Sequence, residues 1–157
     1  MSKDDWLLFL HITGAFLLVA GAVSAGTLTL LSRRRTRPSE IAALLGLVRI
    51  SEPLIYAGVL LTLVFGIWLV HDSGHGFGEA WVIAALMLWV VANALGGIGG
   101  KREQATRELA TRLAGEGDNE TPELRARLTD PVSLALNFGS GLVILVILAL
   151  MIWKPGA

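Results

Sequence analysis

Four long apolar stretches alternate with polar segments along this chain. They cover about residues 6–31, 50–70, 80–98 and 131–153. The hydrocarbon core of a bilayer is about 30 Å thick, and a helix needs about 20 apolar residues to cross it. The pattern therefore predicts an all-α fold, a single membrane domain in which four spanning helices form a bundle.

Start signals support two of the predicted helices. Asp130 offers an N-cap before Pro131, and Thr121 does the same before Pro122. Proline suits the first helical turn because that position needs no backbone donor. We therefore predict that the fourth span begins at Pro131 and that a short helix precedes it.

The second and third spans carry signals that could interrupt them. Ser39 can cap a helix whose apolar pattern runs over 41–70, but Pro53 lies inside that pattern. Since proline removes a backbone hydrogen bond, we predict a kink or break near Pro53. We interpret the four glycines within 96–100 as the end of the third span.

The third connection, residues 101–129, is the only sizeable polar segment. Its charges alternate from Lys101 to Leu113, with Leu109 on the same side as Leu113, which is typical of a short amphipathic helix. Residues 115–119 predict a turn between two helical pieces. The helix could lie solvated on the membrane surface or dock a partner, and the sequence leaves both interpretations open.

Basic residues predict which side of the membrane each loop faces. Short loops rich in arginine and lysine stay in the cytoplasm, whereas the second loop, residues 71–79, contains neither. Both termini are then extracytoplasmic, and four tryptophans fall at the outer interface, where indole rings concentrate. The basic residues of the two cytoplasmic connections are Arg33, Arg34, Arg35, Arg37, Lys101, Arg102, Arg107, Arg112, Arg125 and Arg127, and the four tryptophans are Trp6, Trp68, Trp81 and Trp153.

Composition agrees with a membrane protein and narrows the chemistry. Of the 157 residues, 54% are hydrophobic and 17% are charged, which is far from the balance of a soluble domain. The formal net charge is zero, so nothing indicates a nucleic-acid partner. The absence of cysteine excludes disulfides and thiolate metal sites.

The three histidines are the main chemical candidates. His11 lies about five residues inside the first span, a depth at which a histidine needs a hydrogen-bond partner or a ligand. Small residues follow it on the same face, from Gly14 to Gly26, and could admit either a flat macrocycle or a closely packed helix. His71 and His75 have the i, i+4 spacing of metal-binding pairs, but the glycines around His75 favour a loop.

A second polar group is predicted toward the cytoplasmic face. Asn93 and Asn137 have matching depths in the third and fourth spans, and Arg49 and Glu52 begin the second span at a similar height. Hydrogen bonds between helices explain such a cluster. The alternative is a polar pocket open to the cytoplasm, with Glu52 as a proton-transfer group.

The opening of the chain also carries a resemblance. Residues 7–16, LLFLHITGAF, followed by Ala20 and Gly21, resemble a bacterial family of predicted four-span integral membrane proteins of unknown function. That family is distantly similar to copper-resistance D-like proteins and to membrane-bound protoporphyrinogen oxidases. In those proteins a first-span histidine binds haem b, and the resemblance implies that His11 is the matching position.

These observations lead to one main hypothesis and two alternatives. The main hypothesis is a non-enzymatic subunit or scaffold of the bacterial plasma membrane. The lipid bilayer surrounds it, and its partner is a second copy of the chain, in a homodimer, or another membrane subunit. No catalytic residue is predicted. The first alternative is a haem b-binding redox protein that uses His11, with His71 or His75 as the opposite ligand. The second alternative is a small transporter.

Overall fold

The computed structural model describes residues 2–72 and 76–154, and within them it contains five α-helices and no strand. Four segments, containing α1, α2, α3 and α5, are long and apolar enough to cross a membrane. The all-α class and the count of four spans are confirmed. The helices are α1 (Lys3–Ser32), α2 (Pro38–Asp72), α3 (Ala80–Gly115), α4 (Pro122–Thr129) and α5 (Pro131–Trp153).

The helix starts agree with two predicted caps and correct a third. Thr121 accepts a hydrogen bond from the Leu124 amide, and Asp130 accepts from two amides at the start of α5, as predicted. Ser39, in contrast, lies inside α2, which begins at Pro38. The Ser39 amide and hydroxyl both donate to Asp118, each at 2.7 Å. The start of α2 is therefore capped by a residue 79 positions further along the chain.

The predicted stop at 96–100 is wrong, and of the kink or break predicted near Pro53 the break is absent. α2 continues through Pro53, because Ser51 and Gly58 on either side of it pack against α1 and hold the helix together. Proline is tolerated in membrane helices where neighbouring helices support the backbone. α3 continues through its glycines to Gly115, and Gly99 lies directly against α5.

The spanning helices form two antiparallel pairs. α1 packs along α2 with the most extensive contact in the fold, and α3 packs along α5. The pairs meet mainly between α2 and α3, whereas α1 and α5 touch only slightly. The bundle therefore has one loose seam, between α1 and α5.

The best-packed hydrophobic core lies beyond one end of the spans. α2 has 35 residues and α3 has 36, so each is more than 50 Å long, about 20 Å more than the hydrocarbon core. Their extra turns pack with α4 at the end where the arginine-rich turn lies. We call this packed unit the helical cap and this end the arginine end. The buried residues of its core are Ile41, Leu45, Leu109, Ala110, Leu124 and Leu128.

Contacts at the opposite end, here called the histidine end, close each helix pair. The Lys3 ammonium lies 2.5 Å from the Asp72 carboxylate and above the Trp68 ring, joining the start of α1 to the end of α2. The Lys154 ammonium lies 5.4 Å from the centre of the Trp81 ring, joining the end of α5 to the start of α3. These contacts fix the antiparallel pairing at the histidine end of each helix pair.

Candidate functional site

His11 is hydrogen-bonded to the neighbouring helix. Its Nδ1 atom lies 3.0 Å from the Thr62 carbonyl oxygen. A carbonyl can only accept, so Nδ1 carries the proton and Nε2 carries the lone pair. Gly66 makes room for the ring, since a Cβ atom at that position would lie 2.9 Å from Cε1 of His11. The partner that a histidine at this depth needs is therefore a backbone carbonyl of α2.

The small residues below His11 are covered by the same helix. A Cβ atom on Gly14 would lie 2.7 Å from the Thr62 amide nitrogen, and one on Gly21 would lie 3.1 Å from the Ile55 nitrogen. On α2, Gly58 lies against the Leu18 amide and the Gly14 carbonyl. Of the two occupants that the sequence left open, the structure places a closely packed helix on this face.

Haem fits these residues only in part. A ligating histidine commonly donates its other ring N–H to a carbonyl, and His11 is oriented in that way. His71 does not face it, because positions 62 and 71 project about 180° apart on a helix and α1 packs on the Thr62 side. His71 is exposed and lines an open apolar groove with Trp68 and Phe77. His75 lies outside the described residues, which contain no cluster of three acidic, histidine or cysteine side chains able to hold a metal ion.

The predicted polar cluster is divided among different contacts. Asn93 donates to the Trp89 carbonyl of its own helix at 2.8 Å. Arg49 and Glu52 are exposed, and Glu52 forms a 4.0 Å ion pair with Arg107 of α3. Asn137 alone reaches a buried polar site. Matching depths did not bring these residues together, because depth leaves the direction around each helix undetermined.

Asn137 lies in a polar cavity at the arginine end, where all five helices meet. The cavity has a volume of about 30 Å³, enough for one or two water molecules. We call it the Glu103 cavity. Its lining is Thr29, Ser32, Arg33, Leu45, Glu103, Thr106, Arg127, Leu128, Ser133, Leu134 and Asn137.

Among the residues that the structure describes, Glu103 provides the only carboxylate that lines this cavity. Its Oε2 atom lies 3.4 Å from the Asn137 amide nitrogen, whereas its Oε1 atom is buried and has no hydrogen-bond partner among the residues that the structure describes. Gly99 allows this arrangement because it has no side chain. The Asn137 side chain occupies the space that a Cβ atom at position 99 would need. A buried, unpaired carboxylate oxygen is costly and calls for an explanation.

Arginines join the segments that surround the cavity at the helical cap. Arg33 donates to the Asp130 carbonyl at 3.2 Å, and Arg125 donates to the carbonyls of Arg33 and Arg35, both at 3.1 Å. Arg102 pairs with the Asp130 carboxylate at 2.7 Å. The residues that predict the cytoplasmic side thus also fasten the α1–α2 turn to α4 and to the start of α5.

The sequence interpretation missed most of this cavity. It included Asn137, but it counted Glu103 among the alternating charges of the third connection. A usable signal was present, because Glu103 and Thr106 are spaced i, i+3 and share a helix face. The same spacing relates Thr29 to Ser32 on α1.

The comparison with known proteins places the chain in one family. A family model described as "Predicted integral membrane protein (DUF2269)" matches residues 5–155. The chain belongs to this family, which confirms the resemblance seen in its first span. No curated protein and no solved structure matches the chain.

Proposed function

Because the chain belongs to a family of predicted integral membrane proteins, we propose that it is a non-enzymatic subunit of the bacterial plasma membrane that acts as a homodimeric scaffold. In this proposal both termini are extracytoplasmic and the helical cap lies in the cytoplasm. The arginine-rich connections at the cap support that orientation.

The observation that carries the proposal is the unequal packing of the bundle. The cap has a closed core, but α5 buries none of its residues within the part of the chain that the structure describes. α1, in turn, presents a face whose large side chains are half exposed or more. Close packing of side chains drives association of helices in lipid. The exposed residues of that face are Phe9, Ile12, Phe16 and Val23.

Counting subunits in a bilayer tests this proposal. The full-length chain, carrying one fluorophore, is reconstituted at low density, and photobleaching steps are counted. We expect mainly two steps for the wild type and a shift toward one step for Phe16→Ala, because truncation removes part of the α1 face. Tyr56→Ala is the matched control, since Tyr56 is 71% exposed and Phe16 70% exposed, but Tyr56 lies on α2. Single-step bleaching of the wild type at every density would contradict the proposal.

The orientation of His11 favours haem b binding as a second candidate function. The Nδ1 contact with Thr62 leaves Nε2 as the nitrogen available to iron. Protein purified from haem-replete cells would then show a Soret band that His11→Ala removes and His71→Ala retains. If the wild type has no Soret band, this second candidate is wrong.

A further inference from the structure

The four hydroxyl groups that line the Glu103 cavity donate their protons to acceptors other than Glu103. Each of the four donates to a carbonyl of its own helix or, for Ser133, to the Asp130 carboxylate. A hydroxyl has one donor and two acceptor sites, so these groups can offer only lone pairs to the cavity. The four bonds are Thr29 to Ala25 (2.9 Å), Ser32 to Thr29 (2.8 Å), Thr106 to Arg102 (3.0 Å) and Ser133 to Asp130 (2.7 Å).

This lining explains why Oε1 of Glu103 has no partner. Among the described residues, the Asn137 amide is the donor with hydrogen-bond geometry to the carboxylate, and it serves Oε2, whereas the Thr29 hydroxyl lies near Glu103 but donates to Ala25. The polar part of the lining beside Glu103 offers hydroxyl lone pairs and one carboxylate, and these groups favour an occupant that donates hydrogen bonds or carries positive charge. Its volume of about 30 Å³ limits that occupant to the size of one or two water molecules.

The charges around the cavity balance only one added positive charge. Arg33 and Arg127 line the cavity, but their guanidinium groups donate to the Asp130 carbonyl and to Glu123. Arg107, the nearest cation on α3, forms an ion pair with Glu52 of α2. α5 contributes no charged side chain to the lining. A divalent ion would therefore face one carboxylate and several arginines, whereas a monovalent charge balances Glu103.

We propose that the Glu103 cavity binds one small monovalent cation, either a proton held by the Glu103 carboxyl or a sodium ion held by that carboxylate and the surrounding hydroxyl oxygens. Both occupants supply the positive charge that Oε1 lacks. Because the hydroxyl, amide and carboxyl groups of the lining come from α1, α3 and α5, occupancy joins these helices at the loose seam and stabilises the folded chain.

The experiment follows the thermal unfolding of the full-length chain in lipid nanodiscs. Sodium is varied at constant pH, with choline chloride keeping the ionic strength constant, and pH is varied without sodium. If sodium binds, the midpoint rises with each tenfold increase in sodium concentration. If a proton binds, the midpoint falls as pH rises, without sodium dependence, and the carboxylic acid stretch in the infrared spectrum disappears over the same pH range.

Glu103→Gln separates the proposal from a general salt or pH effect. This variant should lose whichever dependence the wild type shows. It should also be more stable than the wild type at high pH without sodium, where the wild type holds a carboxylate with one buried, unpaired oxygen. Glu108→Gln is the matched control, because Glu108 is exposed on the same helix and bonds only to Gln104. It should keep the wild-type dependence.

A second pair of variants tests the hydroxyl oxygens without altering charge. Thr106→Val removes a buried lining oxygen and keeps the shape of the side chain. It should lower the affinity of the cavity for its cation about tenfold. Thr111→Val removes an exposed hydroxyl with the same helical bond and should change nothing. The proposal is overturned if the wild type and Glu103→Gln respond identically to sodium and to pH. It is also overturned if Glu103→Gln is less stable than the wild type at high pH without sodium.

Discussion

Replacing Gly58 by alanine should force α1 and α2 apart, because the added methyl group would meet backbone atoms. Its Cβ would lie 2.7 Å from the Gly14 carbonyl oxygen and 2.8 Å from the Leu18 Cα, with the Leu18 amide nitrogen closer still. Ordinary contacts of this kind lie at about 3.5–4.0 Å. The two helices would therefore have to separate by about 1 Å.

The free energy of this change combines two opposing terms. Overpacking a close contact costs about 1–3 kcal/mol, and backbone atoms cannot rotate away as a side chain could. Alanine returns up to about 1 kcal/mol through its greater helix propensity. The gain in helix propensity is shared with a glycine-to-alanine substitution that meets no contact, so we expect the free energy of unfolding to fall by about 1–3 kcal/mol relative to such a control.

Equilibrium unfolding of the chain in mixed micelles, titrated with SDS, measures this difference. Gly46→Ala is the control, because Gly46 lies on the same helix and a Cβ atom there meets no described atom within 4 Å. A separation of about 1 Å would also break the His11 bond to Thr62, so the imidazole NMR signals of His11 should shift in Gly58→Ala. If Gly58→Ala is as stable as Gly46→Ala, the close approach of α1 and α2 is wrong.

Two further predictions concern the helical cap. Leu124→Ala removes a fully buried side chain and should lower the free energy of unfolding by about 2–5 kcal/mol. Leu47→Ala, at a position 47% exposed, should lower it much less in the same titration. Equal losses would contradict the assigned core. Hydrogen bonds from the Ser39 hydroxyl and amide hold the pKa of the Asp118 carboxyl below its ordinary value. The stability that this cap contributes is therefore present above about pH 4 and is lost as pH falls through the lowered pKa of folded Asp118. Asp118→Asn should show a smaller acid-induced drop in thermal midpoint than the wild type, and an unchanged drop would rule out this role.

The number of spans and several helix starts were predictable because they depend on local sequence. A helix that crosses lipid must satisfy its backbone internally and present apolar side chains, so four long apolar runs suffice to identify four spans. Asp130 and Thr121 act within three residues of their own positions, and their capping roles needed no tertiary information.

The lengths of α2 and α3 were not predictable from hydropathy alone. Both continue past the hydrocarbon region because their polar extensions bury Leu45 and Leu109 against α4, and that contact joins residues far apart in sequence. The cap on Ser39 comes from Asp118 for the same reason. At Pro53, the local preference for a break is overridden by packing against α1.

The same distinction between local sequence and tertiary packing applies to the candidate site. His11 was identified because a histidine deep in a span needs a partner, yet its partner is a backbone carbonyl, which has no sequence signature. Glu103 was missed because its charge resembles those of its solvated neighbours, and only the approach of α5 to Gly99 buries it. Sequence thus indicates which side chains need partners, and the packing of the helices decides which partners they find.

The central claim is that this chain crosses the membrane four times with its arginine end in the cytoplasm, and cysteine labelling tests it most directly. The chain contains no cysteine, so single substitutions can be read without background. In intact cells, a membrane-impermeant maleimide should label Gly78→Cys, in the loop before α3, and should label Asn119→Cys, in the turn before α4, only after the membrane is permeabilised. Labelling of Asn119→Cys in intact cells, with Gly78→Cys protected, would contradict the account.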